Sequence, residues 1–185
     1  MKYRKLGNSG LEVSSICFGG WAIGGDSYGP VRDEESIEAI HEALDQGINF
    51  FDTAPIYGKG HSESVVGKAM KGKKRDEVII ASKFGLVWDG EGQVSQDISP
   101  KNIRREIEDS LRRLETDYID LYRVHWPVQD DPFEETALAL DQLKREGKIR
   151  YVGVSNFSIE QMEAFSKGTE INSLQPPYYY IISGH

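Results

Sequence analysis

Residues 99–127 read SPKNIRREIEDSLRRLETDYIDLYRVHWP, and the fold class follows from this stretch. Ser99-Pro100 is a strong helix start: a hydroxyl able to cap, then a proline in the first turn, where its missing N–H costs nothing. Ile103, Ile107, Leu111 and Leu114 recur at helical spacing and give the helix one apolar face. Tyr118 to Val124 then reads as a strand. A helix that hands directly to a strand is half of a repeating βα unit.

The alternation continues in both directions. Upstream, Lys2 to Leu6, the turn residues Gly7-Asn8-Ser9-Gly10, and Leu11 to Ser14 predict a β-hairpin. Ser15-Ile16-Cys17-Phe18 is a short apolar strand stopped by Gly19-Gly20. Asp33 is expected to cap a helix with Ile37, Ile40 and Leu44 on its core face and Gly47 at its end. Ile48 to Phe51 is the next strand, a helix runs from about Ser62 to Met70, and Val78 to Ala81 is a buried strand. Downstream, Asp131-Pro132 starts a helix with Leu140 and Leu143 inward, Gly147 ends it, and Ile149 to Val154 is a strand. Ser158 and Gln161 make a capping box on a short helix. Glu170 to Leu174 is the sixth core strand. Strands separated by helices imply a parallel sheet with right-handed crossovers.

Composition narrows the function classes. A chain of 185 residues suffices for one domain with a real core. The formal net charge of -8 argues against a nucleic-acid backbone or an anionic membrane as partner. No apolar run is long enough to span a bilayer. The one cysteine, Cys17, suits a reducing cytosol and is expected to be a buried structural thiol. No Gly-rich dinucleotide fingerprint follows the first strand, and no Walker A pattern is present. His41, His61, His125 and His185 lack metal-ligand spacing, so no metal is expected. The basic run Lys71 to Arg75 is read as a solvated connection away from the site, with phosphate binding as the alternative.

Four short stretches carry the chemistry: Phe51 to Gly58, Ala81 to Phe84, Leu121 to Pro127 and Gly153 to Phe157. Each sits at or just past the end of a strand-like run. In a βα repeat those ends converge on one face, so Asp52, Tyr57, Lys83 and His125 can meet in space. A carboxylate, a phenol, an amine and an imidazole in one cleft make a proton-transfer site. Each residue also has a plainer reading. Asp52 can cap its own turn with Thr53, Tyr57 can be a surface aromatic, and His125 can be a satisfied core histidine. Lys83 is harder to dismiss, because a lysine at a buried strand end needs a partner. Glu63, at a helix start, is given no chemistry beyond favouring the positive helix end.

With these motifs in this order, the chain resembles the aldo-keto reductases from its start to about Tyr178. The resemblance rests on Lys5 to Val13, the Asp52/Tyr57 stretch, the Lys83 stretch, His125-Trp126-Pro127 and Gly147 to Phe157. It implies an α/β fold: a TIM-type (β/α) barrel, incomplete, with six of eight strands and an N-terminal hairpin plug. The divisions would be a plug at 1–14, six βα units at 15–174 and an atypical tail at 175–185, in one domain.

It further implies NADP(H)-dependent reduction of a small aldehyde or ketone to an alcohol, in the cytoplasm. Tyr57 would be the general acid, with Lys83 pulling its pKa down and Asp52 holding Lys83. His125 would polarise the substrate oxygen. Ser155, Asn156 and Gln175 resemble the family's carboxamide contacts. Gly20 and Trp21, with Asp52, lie where backbone approaches the nicotinamide ribose. Trp21, Tyr28, Trp88 and Trp126 could line an apolar pocket.

The two βα units that would carry most of the pyrophosphate and 2′-phosphate pocket are absent from these residues. Open edges at strands one and six are therefore expected to drive self-association, with Tyr178 to Ile182 as a makeshift strand. A non-catalytic binding or regulatory module, and a fragment completed by another chain, are the alternative readings.

Overall fold

The structure, a computed structural model, describes residues 1–26, 29–128 and 133–177. The expected helix start at Asp131-Pro132, the aromatic Tyr28 and the strand-forming tail Tyr178 to Ile182 lie outside the described residues.

The chain opens with an antiparallel hairpin, β1 (Tyr3–Lys5) and β2 (Glu12–Ser14). Alternation follows: β3 (Phe18–Gly19), α1 (Asp33–Asp45), β4 (Phe50–Asp52), α2 (His61–Met70) and β5 (Ile79–Phe84). A second antiparallel hairpin, β6 (Leu86–Trp88) and β7 (Val94–Gln96), then leads to α3 (Pro100–Leu114) and β8 (Ile119–Val124). The remaining elements are α4 (Phe133–Arg145), β9 (Ile149–Ser155), α5 (Ile159–Phe165) and β10 (Ser173–Gln175). Six strands form one parallel sheet in the order β10-β9-β8-β5-β4-β3, so each strand is added beside its predecessor. The result is a curled half-barrel with a lumen on one face and helices on the other.

Register decides what fills the lumen. Ala81, Leu121 and Tyr151 are direct neighbours across β5, β8 and β9, and two residues further on Lys83, Arg123 and Gly153 are neighbours. Side chains two apart share a face, so an apolar tier and a polar tier stack in the lumen. The apolar tier is Val13, Phe50, Ile79, Ala81 and Leu121, against which Leu6, Leu11 and Tyr151 pack. The hairpin thus plugs the N-terminal end of the barrel, as expected. Asn49 and Asn172 pin it there: Asn49 Oδ1 accepts from Ser14 N at 2.7 Å, and Asn172 Nδ2 donates to Asn8 Oδ1 at 3.1 Å. Gly7 has φ +52°, and a Cβ there would collide with Asn172 O, so only glycine fits this turn.

The outer face carries the main core. Ile103, Ile107, Leu111 and Leu114, the stripe that predicts α3, are all buried against the sheet. Burying side chains of this size contributes roughly 1.5–3 kcal/mol each. Ser99 caps α3 by accepting from Asn102 N, and both arms of the Ser158/Gln161 capping box on α5 form.

Three expectations are corrected. Arg32, not Asp33, is the N-cap of α1; Asp33 is the first helical residue, and its carboxylate reaches His61 at 2.9 Å and Lys68 at 3.2 Å on α2. Cys17 is exposed, because β3 is a two-residue edge strand that leaves the preceding residues uncovered. Arg75 is no solvated loop residue: it donates to Thr116 Oγ1, Val78 O and Tyr118 O and pairs with the buried Asp120 at 2.7 Å. Lys71 to Lys74 are exposed, as expected. Their loop borders a hollow of 420 Å³ beside Val78 and Tyr118, which precede β5 and β8, at the end of the sheet opposite the four chemical residues. Arg75 faces Asp120 and backbone carbonyls there, and the exposed cations at the rim of this hollow are Lys71 and Lys73.

Candidate active site

The C-terminal strand ends bring the predicted residues together. Asp52 closes β4, Lys83 lies next to the end of β5, and His125 follows β8 directly. Lys83 is 2% exposed and is the hub. Its Nζ donates to Asp52 Oδ2 at 2.7 Å, to Thr53 O at 3.0 Å and to Tyr57 Oη at 3.1 Å. An ammonium has three protons, and each has an acceptor here. The Tyr57 and His125 rings meet edge to face at 5.9 Å between centroids, and Trp21 stacks with Tyr57 at 6.4 Å.

Tyr57 is held by an interlock that the sequence did not reveal. Its loop turns back on itself through Tyr57 N donating to Ala54 O. A Cβ on Gly24 would sit 2.6 Å from Gly58 N and 2.7 Å from Tyr57 C. The loop after β3 and the loop after β4 therefore pass backbone against backbone, which only glycine allows. Asp26 Oδ2 accepts from Gly58 N at 3.1 Å and ties the two.

Burial sets the protonation states. It pushes the Asp52 carboxyl up, but Lys83 and Arg123 outweigh it and leave the group below its ordinary value. For Lys83, burial pushes the amine down and prevails over the pull of Asp52. Burial pushes the Tyr57 phenol above its usual value, and the Asp52 charge adds to this. The expected lowering by Lys83 is therefore not what this environment gives: the ammonium is already paired with Asp52. Tyr57 is a neutral phenol. His125 is driven down to about 3, first by burial and then by the Lys83 charge, so its imidazole is neutral at ordinary pH.

The expected carboxamide contacts also converge. Ser155 Oγ donates to Gln175 Oε1 at 3.3 Å, and Asn156, at φ 64°, sends its backbone N–H to Gln175 O at 3.2 Å. The Asn156 side chain is already engaged, with Nδ2 donating to His125 O at 3.0 Å. Gly20 is small for a protein reason: a Cβ there would lie 2.7 Å from Ser62 Oγ, which donates to Gly20 O. Trp21 and Trp126 are exposed at the ends of β3 and β8. Trp88 lies instead on the β6–β7 hairpin, lining a 250 Å³ hollow with Pro55, Arg105, Glu106 and Arg113.

Two functional neighbours escaped the sequence reading. Arg123, 4% exposed, donates from Nη1 to Asp52 Oδ1. Its position inside an apolar strand, two residues before His125, was the available signal. Glu63 is fully buried: Oε1 accepts from Ser82 Oγ at 2.6 Å and Oε2 from Arg113 Nε at 2.6 Å. It anchors the outer side of β5 next to Lys83.

A curled parallel half-barrel with a lysine, carboxylate, phenol and imidazole gathered at its strand ends defines an α/β-barrel class of protein. The sequence profile of the Aldo/keto reductase family matches residues 15–182, and the chain belongs to that family. It is 50% identical over 179 residues to aldo-keto reductase YhdN of Bacillus subtilis (strain 168), covering 96% of this chain and 54% of that protein. It is 38% identical over 192 residues to the NADH-specific methylglyoxal reductase of Escherichia coli (strain K12), covering 96% and 59%. Among solved structures it is similar to the glycerol dehydrogenase AKR11B4 from Gluconobacter oxydans, with 44% identity and a TM-score of 0.87 over 95% of this chain and 55% of that one. The chain thus spans little more than half the length of the relatives it matches. Among the described residues no helix is long and apolar enough to cross a membrane.

Proposed function

We propose that this chain carries the proton-transfer half of a nicotinamide-dependent carbonyl reductase, converting a small aldehyde or ketone to an alcohol. The observation that carries this reading is the Lys83 ammonium, placed between Asp52 and Tyr57 with a bond to each. Lysine is donor only, so the Tyr57 oxygen accepts from it. The phenolic proton must then point elsewhere, and it is free to pass to a ligand oxygen. Lys83 stays bonded to that oxygen as charge develops and stabilises it. Neutral His125 offers a ring N–H to the same ligand oxygen without adding a further cation beside Lys83 and Arg123. Asp52 fixes the ammonium and balances it.

The residues present fit a nicotinamide. Ser155 and Gln175 offer hydroxyl and amide groups side by side at the ends of β9 and β10, the groups a carboxamide needs. The cofactor, when bound, supplies the hydride for the carbonyl carbon. Ser155, Asn156 and Gln175 would hold its carboxamide, and Trp21 would flank it beside Tyr57. NADP(H) is the proposed form. The E. coli relative is named as NADH-specific, so both dinucleotides belong in the test. A reducing cytosol is the proposed setting, which the exposed Cys17 thiol suits.

Calorimetric titration of the chain with NADPH and with NADH checks the cofactor assignment. Binding of NADPH, weakened by Gln175→Ala, supports it. Tighter binding of NADH would reassign the cofactor, and heat from neither would remove the reading.

A further inference from the structure

Arg123 has no assigned role, yet its side chain bonds to both Asp52 and Gln175 across the lumen. It projects from β8, the middle of the sheet, in register with Lys83 on one side and Gly153 on the other. From there Nη1 reaches both flanks of the half-barrel. It donates to Asp52 Oδ1, two strands away on β4, and to Gln175 Oε1 at 3.1 Å, two strands away on β10. Room for it is built in: a Cβ on Gly153 would lie 2.9 Å from Arg123 Cγ and 2.6 Å from Ser173 Oγ.

Two consequences follow from guanidinium being donor only. The Asp52 carboxylate is divided, one oxygen to Arg123 and the other to Lys83, so it cannot rotate away from the lysine. The Gln175 amide is also oriented: its oxygen faces Arg123 and Ser155, which leaves its NH2 as the group to offer a ligand.

We infer that Arg123 is a positioning residue that couples the two halves of the site, setting Asp52 for Lys83 and presenting the Gln175 amide as a donor to the cofactor carboxamide. The Gln175 half rests on the proposed function; the Asp52 half does not.

The test uses the full chain with Arg123→Gln and Arg123→Lys. Carboxyl ¹³C NMR, with Asp52 assigned through Asp52→Asn, reads the first half without any ligand. Arg123→Gln should move the Asp52 inflection up in pH, and Arg123→Lys should largely restore it. Calorimetry with the dinucleotide that binds reads the second half. Arg123→Lys and Gln175→Ala should each weaken binding about tenfold, and the double variant should be no worse than either single one. An unmoved Asp52 inflection in Arg123→Gln, or losses that multiply in the double variant, would overturn the inference. So would a lower melting temperature with unchanged affinity, which is what a mere structural brace gives. If the wild-type chain binds neither dinucleotide, the proposed function and the Gln175 half fall together, while the Asp52 inflection still judges the other half.

Discussion

Lys83 Nζ stands 3.1 Å from Tyr57 Oη and donates to it. Because the lysine has no lone pair to accept with when charged, the phenolic proton is directed away from the protein's own hub. In the proposed function this leaves Tyr57 to donate to a ligand at the C-terminal mouth of the lumen. The arrangement also makes Lys83 costly to disturb, since it is buried with Arg123 and both pair with the half-buried Asp52.

Substitutions in this ion cluster should rank by the charge they strand. Asp52→Asn leaves two buried cations without a counter-charge and should destabilise the fold by roughly 3–5 kcal/mol. Lys83→Met leaves Asp52 still paired with Arg123 and should cost less. Urea denaturation followed by circular dichroism gives the order. A Lys83→Met chain less stable than Asp52→Asn would contradict it.

His125 should remain neutral well below the usual imidazole range. Its folded value, about 3, lies under the ordinary 6.5. As pH falls from 6.5 toward 3, the unfolded chain takes up a proton that the folded chain refuses, so this contribution to stability is complete above the ordinary value and is lost on acidification. Long-range ¹H–¹⁵N NMR of the ring should show a single neutral tautomer at mildly acid pH. A titration midpoint near the ordinary value would count against the buried assignment.

Glu106 has the opposite sign. It lies on α3 with Oε2 accepting from Gly85 N at 2.8 Å and Asn102 Nδ2 at 2.7 Å, and burial raises its carboxyl from 4.5 to about 7. The folded chain therefore holds this proton more tightly. Its contribution is full below 4.5 and is lost as pH rises through about 7. Glu106→Gln should flatten that decline. Melting curves from slightly acid to slightly alkaline pH test this, and an equally steep loss in the variant would refute it.

Self-association is expected through the β10 edge. Among the described residues β10 pairs only with β9, and Leu174 and Ile159 are 40% and 67% exposed beside a 550 Å³ hollow. Sedimentation should give a mass above 20.8 kDa, and Leu174→Lys should lower it. A monomer that binds no hydrophobic dye would show the edge to be covered.

Local periodicity made most of this architecture legible. The stripe on α3, the capping box of α5 and the βα alternation each declare themselves within a dozen or so neighbouring residues. Asp52, Tyr57, Lys83 and His125 could be placed because strand ends in such a fold must converge. What stayed hidden depends on partners distant in sequence. Arg123 meets Gln175, and Glu63 meets Arg113, across separations of 52 and 50 residues. Glu63 carries no local sign that separates it from a solvated charge, and for Arg123 the one sign is its place inside an apolar strand. The β6–β7 hairpin was missed although Asp89-Gly90 is a turn signal between two short β-forming runs. Cys17 was misplaced because an apolar run does not say whether a neighbour covers it.

The proposed function stands on one step: Tyr57 hands its proton to a carbonyl oxygen while Lys83 holds the oxygen left behind. Absorbance at the nicotinamide band, followed with NADPH and a reactive aldehyde, tests it most directly. Turnover by the wild-type chain is expected, with a fall of about 10²–10⁴-fold in Tyr57→Phe and calorimetric NADPH affinity retained. Equal rates in the two chains, or no turnover in either, would contradict it.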